Sequence, residues 1–225
     1  MNSDLTLWLV LAGIPLIFGL FAQMSVKRTF AKYSEVAAAN GMTGADAAAA
    51  VLRASGLPGL TINPIDGHLT DHYDPRNKTL NLSAAVGQSN SVAAIGVAAH
   101  EAGHAIQDAN GYWPMTFRQT LVPAANLGST LWFLPVIIGF FLQSTGLVTI
   151  GLILFSAVVL FQLVTLPVEF DASRRALVAL EENNLLASGE IDGARAVLRA
   201  AALTYVAGFV AALGQLLYFF LASRN

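Results

Sequence analysis

The chain contains no cysteine, and only 12% of its 225 residues are charged. The absence of cysteine excludes disulfide bonds, thiolate metal sites and a thiol nucleophile, so any metal must be held by His, Asp or Glu. An average globular domain has about twice that share of charged residues. With 55% hydrophobic residues and a net charge of −2, the composition excludes a disordered chain and offers no basic surface for nucleic acid.

The charged residues are missing from long continuous blocks. Residues 119–168 contain no Asp, Glu, Lys or Arg, and 5–24 and 200–223 are also uncharged. About 20 apolar residues in a helix cross the hydrocarbon core of a bilayer. The longest block is therefore long enough for two spans, separated by the short polar segment 143–146. The sequence predicts four transmembrane helices, at about 5–24, 121–142, 147–168 and 201–222.

The basic residues predict the orientation in the membrane. All Lys and Arg residues except Arg224 lie in two segments, about 25–118 and 169–200. Loops rich in Lys and Arg stay on the cytoplasmic side of a membrane. We therefore expect a multi-pass protein of the cell (inner) membrane with its N-terminus outside and both polar segments in the cytoplasm. The lipid bilayer is its first predicted partner.

One motif in the predicted helix 92–107 points to a metal. In His100-Glu101-Ala102-Gly103-His104, the two histidines are four residues apart and share one helix face, within reach of one Zn²⁺. Glu101 lies between them and can accept a proton from a water molecule that attacks a carbonyl group. The motif predicts a zinc site with Glu101 as general base.

A catalytic zinc ion needs a third protein ligand, and three residues are candidates. Asn110 lies where some zinc peptidases place a further His or Asp, but an amide is a poor ligand. Asp108 follows His104 on the same helix, and a straight helix cannot wrap three ligands around one ion. Glu169 is the first charged residue after the long apolar block, at the cytoplasmic end of the predicted third span. We favour Glu169.

The motif His100–His104, the segment 69–76 and the run Pro167–Arg175 resemble the YugP-type family of membrane zinc metallopeptidases, over nearly the whole chain. More distantly, the layout is similar to the HtpX/Ste24 peptidases. The resemblance implies one zinc ion per chain held by His100, His104 and Glu169, with Glu101 as general base and a protein or peptide as substrate. Ser173 stands where the distant relatives have an aspartate that orients a ligand histidine, so Asp171 or Asp108 could substitute.

The resemblance also implies where a substrate would lie. Zincin peptidases hold an extended substrate against the edge of a strand, and the strand-like run Thr79–Leu82 before the motif helix is the candidate. The tetrahedral oxyanion needs a hydrogen-bond donor besides the metal. The candidate donors are Arg174, Arg175, His72 and Tyr73.

Together these features predict a mainly α integral membrane protein that forms a single domain over 1–225. It has four transmembrane helices, a zincin-like HExxH helix and a small β-hairpin on the cytoplasmic side, whose turn is predicted at Asp74-Pro75-Arg76-Asn77. The predicted function is that of a membrane-bound zinc endopeptidase, with no nucleic-acid partner. The alternatives are a site-2-type intramembrane protease that uses Asp192 as its third ligand, and a non-catalytic scaffold that retains zinc. The uncharged spans argue against a zinc transporter.

Overall fold

The computed structural model describes residues 3–67 and 69–224, and it shows a mostly helical chain with one small sheet. A π-helical turn, Leu9–Gly13, joins the first two helices. The helices are α1 (Ser3–Trp8), α2 (Ile14–Ser34), α3 (Gly44–Ala54), α4 (Ala84–Gly87), α5 (Val92–Ala109), α6 (Trp113–Leu131), α7 (Phe133–Phe141), α8 (Thr145–Glu182) and α9 (Ser188–Ala222).

Four helical stretches are long and apolar enough to cross a membrane. They are Thr6–Ser34, Trp113–Phe141, Thr145–Glu182 and Ser188–Ala222. Each overlaps one of the four predicted spans, so the predicted number of candidate spans is confirmed. The helices are longer than the apolar runs, because backbone hydrogen bonding continues into the charged sequence that adjoins them. The largest difference is at α8, which continues to Glu182.

The small sheet has three strands, β1 (Thr61–Ile65), β2 (His72–Asp74) and β3 (Thr79–Ser83), in the order β1-β3-β2. The antiparallel pair of β2 and β3 is the predicted hairpin. The sequence analysis missed β1, which pairs in parallel with β3 and contains Pro64, a residue that weakens a strand pattern.

The position of β3 corrects one expectation. Thr79–Leu82 lies in the central strand, and both of its edges are paired, so it cannot offer a free edge to a substrate. The edge strands are β1 and β2. The sequence predicted β3 and its hairpin partner β2 but not β1, because a parallel partner has no hairpin signal.

The chain divides into two compact units. One consists of residues up to Gln23, Trp113–Pro167 and residues from Leu203, and the other of Met24–Tyr112 and Val168–Ala202. In the first unit, Phe155 and Val159 of α8 pack with Ala212 of α9. The second unit contains the sheet and α3–α5, and its core includes the fully buried Leu80 and Ile95.

Local sequence signals set the start of two helices of the second unit, α3 and the motif helix α5. Thr43 and Asp46 form the reciprocal capping box at the start of α3. The Ser91 hydroxyl accepts a hydrogen bond from the Ala94 backbone N–H at the start of α5. Later in α5, Gly103 lies so close to α8 that a Cβ atom there would be 2.5 Å from the Ala172 carbonyl oxygen. The bare glycine therefore brings α5 against the segment of α8 that carries Glu169.

Candidate metal centre

His100 and His104 of α5 and Glu169 of α8 lie together in the second unit. The Glu169 Oε2 atom is 3.2 Å from His100 Nε2 and 3.7 Å from His104 Nε2. The three residues offer ligand atoms that all lie within 4.8 Å of one another. The Glu169 side chain is only 3% exposed. The structure thus brings together the three residues that the sequence analysis selected as metal ligands.

The donor set fits zinc. Ligand atoms about 2.05 Å from a tetrahedral ion are about 3.3 Å apart, close to both measured separations. Two imidazole nitrogens and one carboxylate oxygen are also the ligands of a known class of catalytic zinc sites, in which a fourth position stays open. A bound cation would place positive charge beside the buried carboxylate of Glu169.

Each histidine has a hydrogen-bond partner at its second ring nitrogen. His100 Nδ1 lies 3.1 Å from the Ser173 hydroxyl of α8. His104 Nδ1 lies 3.0 Å from Gln107 Oε1, one turn further along α5. Such partners orient the ring, so that the Nε2 atoms of both histidines are directed towards Glu169.

These partners differ from the expected ones. Asp171 and Asp108 were the candidates to replace the missing aspartate, but neither contacts a ligand histidine directly. Ser173 itself contacts His100 through its hydroxyl group. Asp171 accepts a hydrogen bond from Gln107 at 3.0 Å, and Asp108 accepts one from the Tyr73 hydroxyl at 2.7 Å.

Glu101 lies beside the three ligands and contacts the sheet. Its Oε2 accepts a hydrogen bond from the Tyr73 backbone N–H of the edge strand β2, at 3.1 Å. Burial raises the pKa of the Glu101 carboxyl, an effect that His100 and His104 partly oppose and Glu169 reinforces. A carboxylate with a raised pKa is better matched to proton transfer near neutral pH than an exposed one.

The electrostatics of His104 reflect the same cluster. Burial acts to lower the pKa of His104, but the carboxylates of Glu169 and Glu101 outweigh it and raise that pKa overall. Two carboxylates, those of Glu101 and Glu169, therefore act on this ring. A site of this kind favours a cation at the Nε2 side of the histidines.

The four candidate oxyanion donors all have other partners. Arg174 and Arg175 pair with Asp171 on α8. His72 contacts the Thr70 carbonyl through Nδ1 and Asn81 through Nε2. The Tyr73 hydroxyl donates to Asp108, and burial raises the pKa of that phenol, with the Asp108 charge adding to the effect.

The other candidates for the third ligand, Asn110, Asp108 and Asp192, have different partners. Asn110 caps the end of α5 through its backbone. Asp108 also pairs with Lys78. Asp192, the ligand required by the site-2-type alternative, pairs with Arg195 at 2.7 Å and has a largely exposed side chain. Within residues 3–67 and 69–224, the cluster identified as able to hold a metal is His100, His104 and Glu169.

The sequence analysis missed Gln107, Val168 and the backbone of Tyr73 as contributors to the site. Gln107 could have been found, because it lies three residues after His104 and so on the same face of α5. The backbone groups carry no signal in the sequence. Their positions depend on how α8 and β2 pack against α5.

The chain matches the family model described as "Putative neutral zinc metallopeptidase" over residues 8–224. It is 42% identical over 221 residues to "Putative membrane protease YugP" of Bacillus subtilis (strain 168), an alignment that covers 98% of this chain and 97% of that protein. No solved structure matches the chain. The resemblance found in the sequence is therefore confirmed, and the chain belongs to the family that this model describes as "Putative neutral zinc metallopeptidase".

Proposed function

We propose that the protein is a membrane-bound zinc-dependent endopeptidase. The observation that carries the proposal is the convergence of His100, His104 and Glu169, at distances that suit one zinc ion, beside the carboxylate of Glu101. Membership of a zinc metallopeptidase family supports the same activity. The expected content is one zinc ion per chain.

In this proposal the two histidines and Glu169 hold the ion, and Glu101 transfers the proton. When bound, Zn²⁺ supplies Lewis acidity, which polarises a peptide carbonyl and makes water more acidic. Glu101 accepts a proton from the water whose oxygen forms the new bond to the carbonyl carbon. Glu101 then gives that proton to the amine nitrogen as the C–N bond breaks. Hydrolysis is complete and the carboxylate of Glu101 is regenerated.

The substrate is proposed to lie along β2 rather than β3. Tyr73 is paired with Leu80 in register, yet its N–H donates to Glu101. That N–H is therefore directed away from β3, on the outer edge of the sheet and next to the proposed base. An extended peptide on this edge would bring its own backbone beside Glu101, as strand addition requires.

The proposed setting is the inner membrane, with the N-terminus outside and the site on the cytoplasmic side. It rests on the four apolar helices and on the concentration of Lys and Arg in 25–118 and 169–200. The lipid bilayer and a protein or peptide substrate are the proposed partners.

The decisive experiment compares wild type with Glu101→Gln, purified in detergent, for zinc content and for cleavage of an unfolded protein. We expect the variant to retain zinc and its fold but to lose at least about 10²–10⁴-fold in rate, because an amide cannot act as a base. Glu182→Gln, an exposed glutamate at the end of α8, is the matched control and should cleave normally. Wild-type cleavage by Glu101→Gln would contradict the mechanism. A zinc-loaded wild type that cleaves no substrate would instead favour a scaffold.

A further inference from the structure

The side chain of Gln107 is buried completely and joins the two helices of the site. It is 0% exposed, and each of its polar atoms has a partner. Nε2 donates to the Val168 carbonyl oxygen at 2.8 Å and to Asp171 Oδ2 at 3.0 Å. Oε1 lies 3.0 Å from His104 Nδ1. The proposed zinc chemistry assigns no role to a glutamine, so this network calls for its own explanation.

The two partners of Nε2 fix which way the amide points. A main-chain carbonyl and an ionised carboxylate can only accept hydrogen bonds, so both require the NH₂ end of Gln107. The opposite orientation would set the amide oxygen against two acceptors in a buried place. Oε1 must therefore point to His104 Nδ1. Because an amide oxygen cannot donate, the hydrogen of that bond must reside on His104 Nδ1.

We propose that Asp171 and Gln107 form a relay that holds His104 in the tautomer with its proton on Nδ1 and its lone pair on Nε2, ready for the metal. The inference rests on the proposed function, since it assumes that His104 is a zinc ligand. Gln107 and Asp171 are positioning residues: neither is among the metal-binding donors, and both act through His104. The relay inserts an amide between the histidine and the carboxylate that usually contact each other directly.

The second proposed ligand, His100, has a different kind of partner. His100 Nδ1 faces the Ser173 hydroxyl, which can donate or accept a hydrogen bond and is compatible with either tautomer. The carboxylate of Asp171 is fixed in turn by Arg174 and Arg175 on its own helix. The contact with Gln107 therefore requires the proton of His104 on Nδ1, whereas the Ser173 hydroxyl does not select either tautomer of His100.

The relay can be tested in the metal-free protein by ¹⁵N NMR of the imidazole nitrogens and separately by zinc affinity. In wild type, at a pH high enough for the His104 ring to be neutral, we expect the tautomer with its proton on Nδ1. Gln107→Leu should yield a mixture of tautomers and a zinc affinity about 10–100-fold weaker. Ser173→Ala is the matched control: it removes a partner of His100 and should leave the His104 signals unchanged.

A double variant separates the relay from simple packing. Gln107→Glu alone places two carboxylates side by side in a buried place and should weaken zinc binding. Adding Asp171→Asn supplies an amide that can donate to the new carboxylate, which in turn accepts from His104 Nδ1. We expect the double variant to bind zinc more tightly than Gln107→Glu alone, because only one of the two acceptors that faced the new carboxylate, the Val168 carbonyl oxygen, remains. If Gln107 acted only by filling space, adding Asp171→Asn would lower the zinc affinity further.

The outcomes distinguish this inference from the proposed function. The relay is wrong if Gln107→Leu folds and keeps wild-type zinc affinity, or if metal-free wild type carries the His104 proton on Nε2. It is also wrong if Asp171→Asn worsens the zinc affinity of Gln107→Glu. Failure of the zinc-loaded wild type to cleave peptides would overturn the endopeptidase but would leave these three measurements unaffected.

Discussion

The chemistry of this protein depends on a few polar side chains held in an otherwise apolar chain. His100 and His104 share a face because they are four residues apart on α5, and this follows from helix geometry alone. Glu169 is far away in sequence and was selected as the first charge after the apolar block. The partners Ser173 and Gln107 carry no strong sequence signal, since Ser and Gln are common residues with many uses.

Substitution of the ligands should remove zinc to different extents. We expect about one zinc ion per chain in wild type, loss of zinc in His100→Ala and His104→Ala, and much weaker binding in Glu169→Ala. Each substitution removes one of the three proposed donors, so only two protein ligands remain to hold the ion. Zinc content of the purified variants is the measurement.

Two aspartates serve as controls for that series. Asp108→Ala and Asp192→Ala should retain zinc, because the first carboxylate pairs with Lys78 and the second with Arg195. Full zinc in Glu169→Ala together with loss in either control would show that the third ligand is wrong.

At the scale of secondary-structure elements, the site depends on how closely α5 and α8 approach. The contact at Gly103 occurs between the two ligand histidines in sequence, and the opposing Ala172 is three residues after Glu169. The contact is between two backbones, so no side chain can move to make room for an added atom. The geometry of the three ligands is therefore sensitive to a single methyl group at this position.

Gly103→Ala should consequently disrupt the metal site without altering any ligand. The new Cβ would lie 2.5 Å from the Ala172 carbonyl oxygen, so α5 and this part of α8 must move apart. We expect a marked loss of zinc affinity and a lower thermal unfolding temperature, although alanine favours helices intrinsically. Zinc titration and thermal unfolding measure the two effects.

Gly189→Ala provides the matched control on α9. Nothing lies within 4 Å of a Cβ atom at that position, so the substitution should leave zinc binding unchanged and be neutral or slightly stabilising. Zinc affinity for Gly103→Ala equal to that of this control would contradict the role assigned to the close contact.

At the scale of the whole molecule, the distribution of charge predicts how the chain is threaded through the membrane. The turn that contains Ser144 lies between two uncharged runs, whereas Ser55 lies within the first basic segment. A cysteine introduced at Ser144 should react with an impermeant thiol reagent added outside cells, and one at Ser55 should not. The chain has no cysteine of its own, so each label reports one site. The reverse pattern would overturn the proposed cytoplasmic site.

The sequence by itself determined the features that are local or compositional. The four apolar helices follow from runs of apolar residues, the hairpin from the turn around Asp74, and the shared face of His100 and His104 from their spacing. Each depends on residues that are neighbours along the chain, so the pattern is readable without the fold.

Only the tertiary structure decided the features that depend on distant parts of the chain. The parallel pairing of β1 makes β3 a central strand, and this moves the proposed substrate edge to β2. The packing of α8 on α5 places Ser173 against His100 and lets Gln107 reach Val168 and Asp171. These contacts join residues that are far apart in sequence, and the contact to Val168 uses a backbone carbonyl group that every residue possesses. The spacing could place Gln107 on the face of His104, but it could not show which groups of α8 these side chains contact, because those contacts are set by the packing of the two helices.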